Sequence, residues 1–88
     1  MRRFLVLNHD EIEALFEQDP ATARDGGFQS LMVRLQENFR PGTQELRLED
    51  KDLEDVQRYA LDYKQGGWES RLMRILGRNL GPTLGRED

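Results

Sequence analysis

Arg71, Arg74 and Arg78 fall at i, i+3 and i+7, a spacing that a helix gathers onto one face, and Asn79 adjoins them. No acid interrupts the stretch from Arg71 to Asn79. Guanidinium forks match the oxygens of phosphates and carboxylates alike. These four residues are therefore the candidate interaction surface, for nucleic acid or for an acidic protein, set against the plainer reading of a solvated helix face. Charge elsewhere runs the other way. The chain carries −4 overall, with −2 over residues 1–40, −3 over 41–66 and +1 over 67–88.

Catalytic chemistry finds no set of residues to carry it. The chain has one histidine, His9, two serines, Ser30 and Ser70, and no cysteine. His9 falls where a strand passes into a helix, and the serines fall in first helical turns, where hydroxyls bond the local backbone. A hydrolase triad needs nucleophile, base and orienting acid in contact. Asp50, Asp52 and Glu54 alternate like the start of a calcium loop, but the sixth position is Asp55 rather than glycine and the twelfth is Leu61 rather than glutamate. Glu49-Asp50-Lys51 has the acid-x-lysine spacing of metal-dependent nucleases, but the neighbouring strand-like run supplies no second carboxylate. The acidic stretch Glu45 to Asp55, readable as a mimic of a phosphate backbone, is diluted by Arg47 and Lys51. Two Gly-Gly pairs precede helices without the further glycines or the lysine of a nucleotide loop. No catalytic residue, no metal ligand and no cofactor is expected.

The glycine pairs lead to the elements. At an offset of 40, Gly26 and Gly27 coincide with Gly66 and Gly67, Ser30 with Ser70, and Arg34 with Arg74, while Phe28 meets Trp68 and Leu35 meets Ile75. Upstream, an offset of 41 places Leu5 and Leu7 on Leu46 and Leu48, Ile12 on Leu53, Glu13 on Glu54 and Leu15 on Val56. The structural repeat motif is thus Gly26, Gly27, Phe28 and Arg34 against Gly66, Gly67, Trp68 and Arg74. It reads as a tandem duplication with pseudo-twofold symmetry, in units of about 3–40 and 44–80. Arg34 and Arg74 would share a structural role, and Phe28 and Trp68 would each wedge under its own helix hairpin.

Each unit reads strand, helix, helix. Arg3 to Leu7 is β-rich, and Asn8 or Asp10 offers a cap for a helix starting near His9. Ile12, Leu15 and Phe16 share one face of that helix, and Asp19-Pro20 ends it. A second helix is expected from Phe28 to Phe39, with Phe28, Leu31, Met32, Leu35 and Phe39 as its apolar stripe and Pro41-Gly42 as its stop. Thr43 to Leu48 alternates as a half-buried strand. Asp50 or Asp52 would cap a third helix running through Lys64, with Leu53, Val56, Ala60 and Tyr63 inward. Gly66 would take the left-handed residue closing that helix and Gly67 the cap of the next, so that a valine at Gly66 should destabilise the fold. The last helix spans Trp68 to Leu80, with Trp68, Leu72, Ile75, Leu76 and Leu80 inward. Tyr59, Tyr63 and Trp68 cluster at the junction before it.

These elements imply an α+β fold in which two short strands, paired antiparallel, are covered by four helices. Residues 1–80 would form a single compact domain and 81–88 a flexible tail. An uncovered strand edge would be a natural dimer contact. The 34% of charged residues and the absence of any long apolar run point to a cytoplasmic protein with no membrane contact. The expected function is a small non-enzymatic protein-binding module, a regulator, inhibitor or accessory subunit, with another protein or a second copy as partner. The alternative is a nucleic-acid-binding protein using the arginine face of the last helix.

Overall fold

The computed structural model describes residues 2–63 and 66–86. Among these, three strands and four α-helices share one hydrophobic cluster in an α+β arrangement. Strand β1 (Arg3–Val6) pairs antiparallel with β3 (Glu45–Leu48), with Leu5 opposite Leu46. The expected antiparallel pair is thus present. A third strand, β2 (Phe39–Arg40), lies on the other edge of β3, giving the order β1-β3-β2.

Period-2 alternation gives the sheet two unlike faces. Leu5, Leu46, Leu48 and Phe39, with Leu7 just beyond β1, are buried against the helices. Phe4 and Val6 point the other way and remain 48% and 56% exposed.

Helix α1 (His9–Leu15) starts at Asn8, whose Oδ1 accepts from the Glu11 backbone N–H at 2.9 Å while Glu11 Oε1 accepts from the Asn8 backbone N–H at 2.8 Å. This reciprocal pair satisfies two amides that a helix start leaves open. The helix stops at Leu15 with Phe16 as its cap, ahead of the Asp19-Pro20 pair expected to end it, and Pro20–Thr22 forms a separate short 3₁₀ turn capped by Asp19. Helix α2 (Gly27–Glu37) ends earlier than the stripe suggests. Asn38 caps it, its carbonyl accepts the Arg47 N–H at 3.2 Å, and Phe39 passes into β2 opposite Leu46. Phe39 is buried either way, so its apolar character could not distinguish a helix end from a strand.

Helix α3 (Asp50–Gln57) is capped by Glu49 rather than by Asp50 or Asp52, with Asp52 as the reciprocating third residue. It then widens into a π-helical segment, Arg58–Asp62, closed by the Tyr63 N–H on the Arg58 carbonyl at 3.1 Å. Each wide turn holds an extra residue. The face therefore rotates, and Tyr63, expected inward, is exposed. The expected helix end at Lys64 lies outside the described residues.

Helix α4 (Trp68–Leu80) buries Leu72, Ile75 and Leu76. Gly67, not Gly66, takes the left-handed conformation, with φ of 89°, and is also the cap. Gly66 faces open space, with nothing within 4 Å of where a Cβ would stand, so the expected sensitivity to valine there has no steric basis. Residues 81–86, expected to be part of a flexible tail, fold back onto the helices. Leu84 is fully buried, and its carbonyl accepts from Gln57 Nε2 at 3.0 Å. Arg86 meets Asp62 at 2.8 Å. The tail's last two positions, 87 and 88, lie outside the described residues.

The two halves share the order strand, helix, helix, but they are not superposable element by element. The positions matching β2 lie inside α4, and α1 has no π segment to match that after α3. Gly26 is an extended cap and Gly27 helical, whereas Gly67 is the left-handed cap of a helix beginning at Trp68.

Candidate interaction surface

The arginines of the α4 face have partners within the chain, while Arg74 and Arg78 keep 59% and 52% of their side chains exposed. Arg78 grips Glu11 with Nε at 3.1 Å and Nη2 at 2.8 Å, and Nη2 also donates to the Val6 carbonyl at 2.8 Å. Asn79 Nδ2 donates to the same carbonyl at 3.1 Å. Arg74 pairs with Glu17 at 3.2 Å. The Arg71 guanidinium stands 5.2 Å from the Phe28 ring centroid, within cation–π range. Each arginine is therefore directed to a partner on α1, just beyond it, or on α2. The acids that meet Arg74 and Arg78 lie at the far end of the sequence, beyond the reach of any local spacing.

Glu11 is nearly buried. Burial opposes its ionisation, but the Arg78 and Asn8 hydrogen bonds and the Arg78 charge outweigh that and hold its carboxyl below the ordinary 4.5. Glu11 thus joins three elements: it closes the start of α1, anchors α4 and, through Arg78, sits against the end of β1.

Arg34 makes the corresponding link on the other side. Its Nε donates to Asp52 Oδ1 at 2.7 Å and its Nη2 to Asp55 Oδ2 at 2.8 Å, while Asn38 Nδ2 reaches Asp52 Oδ2 at 3.2 Å. Desolvation pushes Asp55 up, but Lys51 and Arg34 more than reverse it, and its carboxyl sits below 3.8. Arg34 and Arg74, matched in the sequence, thus differ in kind: one is lodged against two buried carboxylates, the other in an exposed pair.

The repeat aromatics meet each other rather than each filling its own hairpin. Phe28 and Trp68 stack at 4.9 Å with planes 7° apart, and Tyr59 closes edge-on to Trp68 at 5.2 Å. Gly27 lies under this group, where an added Cβ would run into the Tyr59 hydroxyl. Other polar candidates are also paired within the chain. His9 pairs with Glu13 at 3.0 Å on the surface, Glu49 with Arg2 at 2.9 Å, and Lys51 with Asp55 at 2.8 Å. Among the described residues, no three histidine, aspartate or glutamate side chains gather closely enough to hold a metal ion, and no helix is long and apolar enough to cross a membrane.

Sequence spacing passed over an apolar surface that the fold leaves open on β1. Leu7 N donates to Gln44 O at 2.9 Å, in register with the Leu5–Leu46 pair. Antiparallel ladders alternate, so the backbone groups of Phe4 and Val6 point away from β3, to the free edge. At Val6 the carbonyl is covered by Arg78 and Asn79. At Phe4 no hydrogen bond among the described residues covers the edge. The same two residues project exposed apolar side chains from the outer face, opposite Arg47 and Glu45 respectively. The signal was present in the alternation of Arg3 to Leu7, which is apolar on both sides, but a strand covered on both faces reads the same way.

No protein-family model, no curated protein and no solved structure matches this chain.

Proposed function

We propose that the protein is a small non-enzymatic protein-binding module that receives its partner on the outer face and open edge of β1. One observation carries this. The offset of 41 equates Phe4 and Val6 with Glu45 and Arg47 on β3. The sheet therefore accommodates charged residues at outward positions of this kind, and folding alone does not require the phenylalanine and valine that β1 exposes. Large apolar side chains beside unpaired strand amides suit an extended segment of another protein, which gains ladder hydrogen bonds from the edge and side-chain burial from the face. The arginines of α4 serve this reading as supports: Arg78 and Asn79 fix the end of β1.

The test gives β1 the outward residues of β3. In the double variant Phe4→Glu/Val6→Arg, the new glutamate stands opposite Arg47 and the new arginine opposite Glu45, pairings a sheet tolerates. The variant should melt within about 3 °C of the parent, since surface changes of this kind stay within about 0.5 kcal/mol. Its capture of a stoichiometric protein from a nuclease-treated lysate of the source cells should be lost. Capture that survives the substitution, or that vanishes from the parent on nuclease treatment, overturns the proposal, and the second result returns attention to Arg71, Arg74 and Arg78.

We also infer that the halves are copies of one ancestral unit. Leu5 faces Leu46 and Phe28 stacks on Trp68, both pairs of residues that the repeat offsets equate, as expected near a twofold axis. Glu11 and Asp52, equated by the offset of 41, are the third residues of the two reciprocal caps. Each is held by the second helix of the other half, Glu11 by Arg78 and Asp52 by Arg34 and Asn38.

A further inference from the structure

We propose that two copies of this chain exchange halves, so that residues 2–40 of one copy pack against residues 45–86 of the other in an intertwined dimer. The grounds lie in how the halves hold together. Strand β3, from the second half, lies between β1 and β2, both from the first. Arg78 and Arg74 of α4 hold Glu11 and Glu17 at α1 and just beyond it. Arg34 of α2 holds Asp52 and Asp55 on α3, and Phe28 stacks on Trp68. Every one of these contacts joins one half to the other, and each forms equally well between two copies.

What confines the pairing to one chain is the turn 41–44 between β2 and β3. Reversing direction there places Gln44 at φ of 60°, a left-handed conformation that a residue with a side chain disfavours. An opened turn releases that residue, while the exchanged dimer repeats every interface of the single chain. Mass action then decides between the two forms, with the dimer favoured as concentration rises. The exchanged particle would carry two β1 faces. The inference rests on the interlocked halves and stands whether or not β1 binds a partner.

Two full-length variants test it by complementation. Leu31→Asp places a charge in the buried core of the first half and Leu72→Asp does so in the second. Each alone should lack a cooperative thermal transition, read by circular dichroism. Refolded together, they can assemble one globule from two undamaged halves only by exchange. The mixture should then recover up to half the parent's unfolding amplitude. A mixture that remains the mean of its separate components overturns the proposal. The unsubstituted chain gives an independent reading: after refolding at about 1 mM, light scattering should show a species of twice the monomer mass, absent after refolding at about 1 µM. A single mass of 10.3 kDa at both concentrations overturns it equally.

Discussion

Replacing Arg34 by methionine keeps the aliphatic stem and removes the guanidinium. Two hydrogen bonds are lost, 2.7 Å to Asp52 and 2.8 Å to Asp55. Asp52 keeps Asn38 Nδ2 at 3.2 Å and the Glu49 N–H at 3.0 Å, and Asp55 keeps Lys51 at 2.8 Å, so neither carboxylate is stranded. A hydrogen bond to a charged group contributes about 1.5–3 kcal/mol. The Arg34 side chain is 37% exposed, and solvent screens the pair and partly replaces it. The loss is then about 2 kcal/mol, short of the full cost of breaking a buried pair. In a domain of this size that lowers Tm by about 8–16 °C. Arg74→Met, at the matched repeat position, removes an exposed pair and should change stability by less than about 0.5 kcal/mol. The deficit also carries a pH signature. The folded Asp55 carboxyl lies below its ordinary 3.8, so the stability it confers is present above that value and lost as pH falls through the folded one. The Arg34→Met deficit should therefore be full at pH 7 and shrink toward pH 3, read as urea midpoints at each pH. Equal losses for the two arginines, or a deficit independent of pH, would refute the assignment of Arg34 as an electrostatic link between α2 and α3.

Leu84→Ala should cost about 2–4 kcal/mol in urea unfolding, because Leu84 is fully buried although the sequence places it in a tail; a loss under about 0.5 kcal/mol would mean the segment does not dock. Gly27→Ala drives a methyl group into Tyr59, which its neighbouring rings hold in place, and should cost about 1–3 kcal/mol. Gly66→Ala meets nothing and should be within about 0.5 kcal/mol of the parent, so melting curves showing the reverse order would contradict the packing at the two glycine pairs. Glu11→Gln keeps the side chain's shape but loses the ion pair with Arg78. Since the Glu11 carboxyl is held below 4.5 in the folded chain, its contribution exists above that value and disappears on acidification. The variant's melting temperature should fall less between pH 6 and pH 3 than the parent's, and parallel curves would argue against that linkage.

The sequence by itself determined the local elements, because their causes are local. Asn8 with Glu11 starts a helix, Asp19-Pro20 opens a short turn, and the alternation of Glu45 to Leu48 makes a strand with one leucine face. Antiparallel pairing of the two leucine strands is expected from the twofold relation read in the repeat, and β1 and β3 do pair that way. Elements of mixed character were not decided locally. Phe39 satisfies a helical stripe and a strand alike, and only pairing with Leu46 assigns it to β2. The third helix widens at Arg58, and that turn moves Tyr63 from the core to the surface. A run of three arginines at helical spacing defines a face, but whether the face is free depends on what packs against it. Glu11, Glu17 and Phe28 arrive there from other elements. In the same way, the apolar residues Phe4 and Val6 look like core until the helices settle on the other side of the sheet. Exposure of an apolar residue is a property of the assembled layers: the helices cover Leu5 and Leu7 and leave Phe4 and Val6 open, which is why the proposed surface lies on β1.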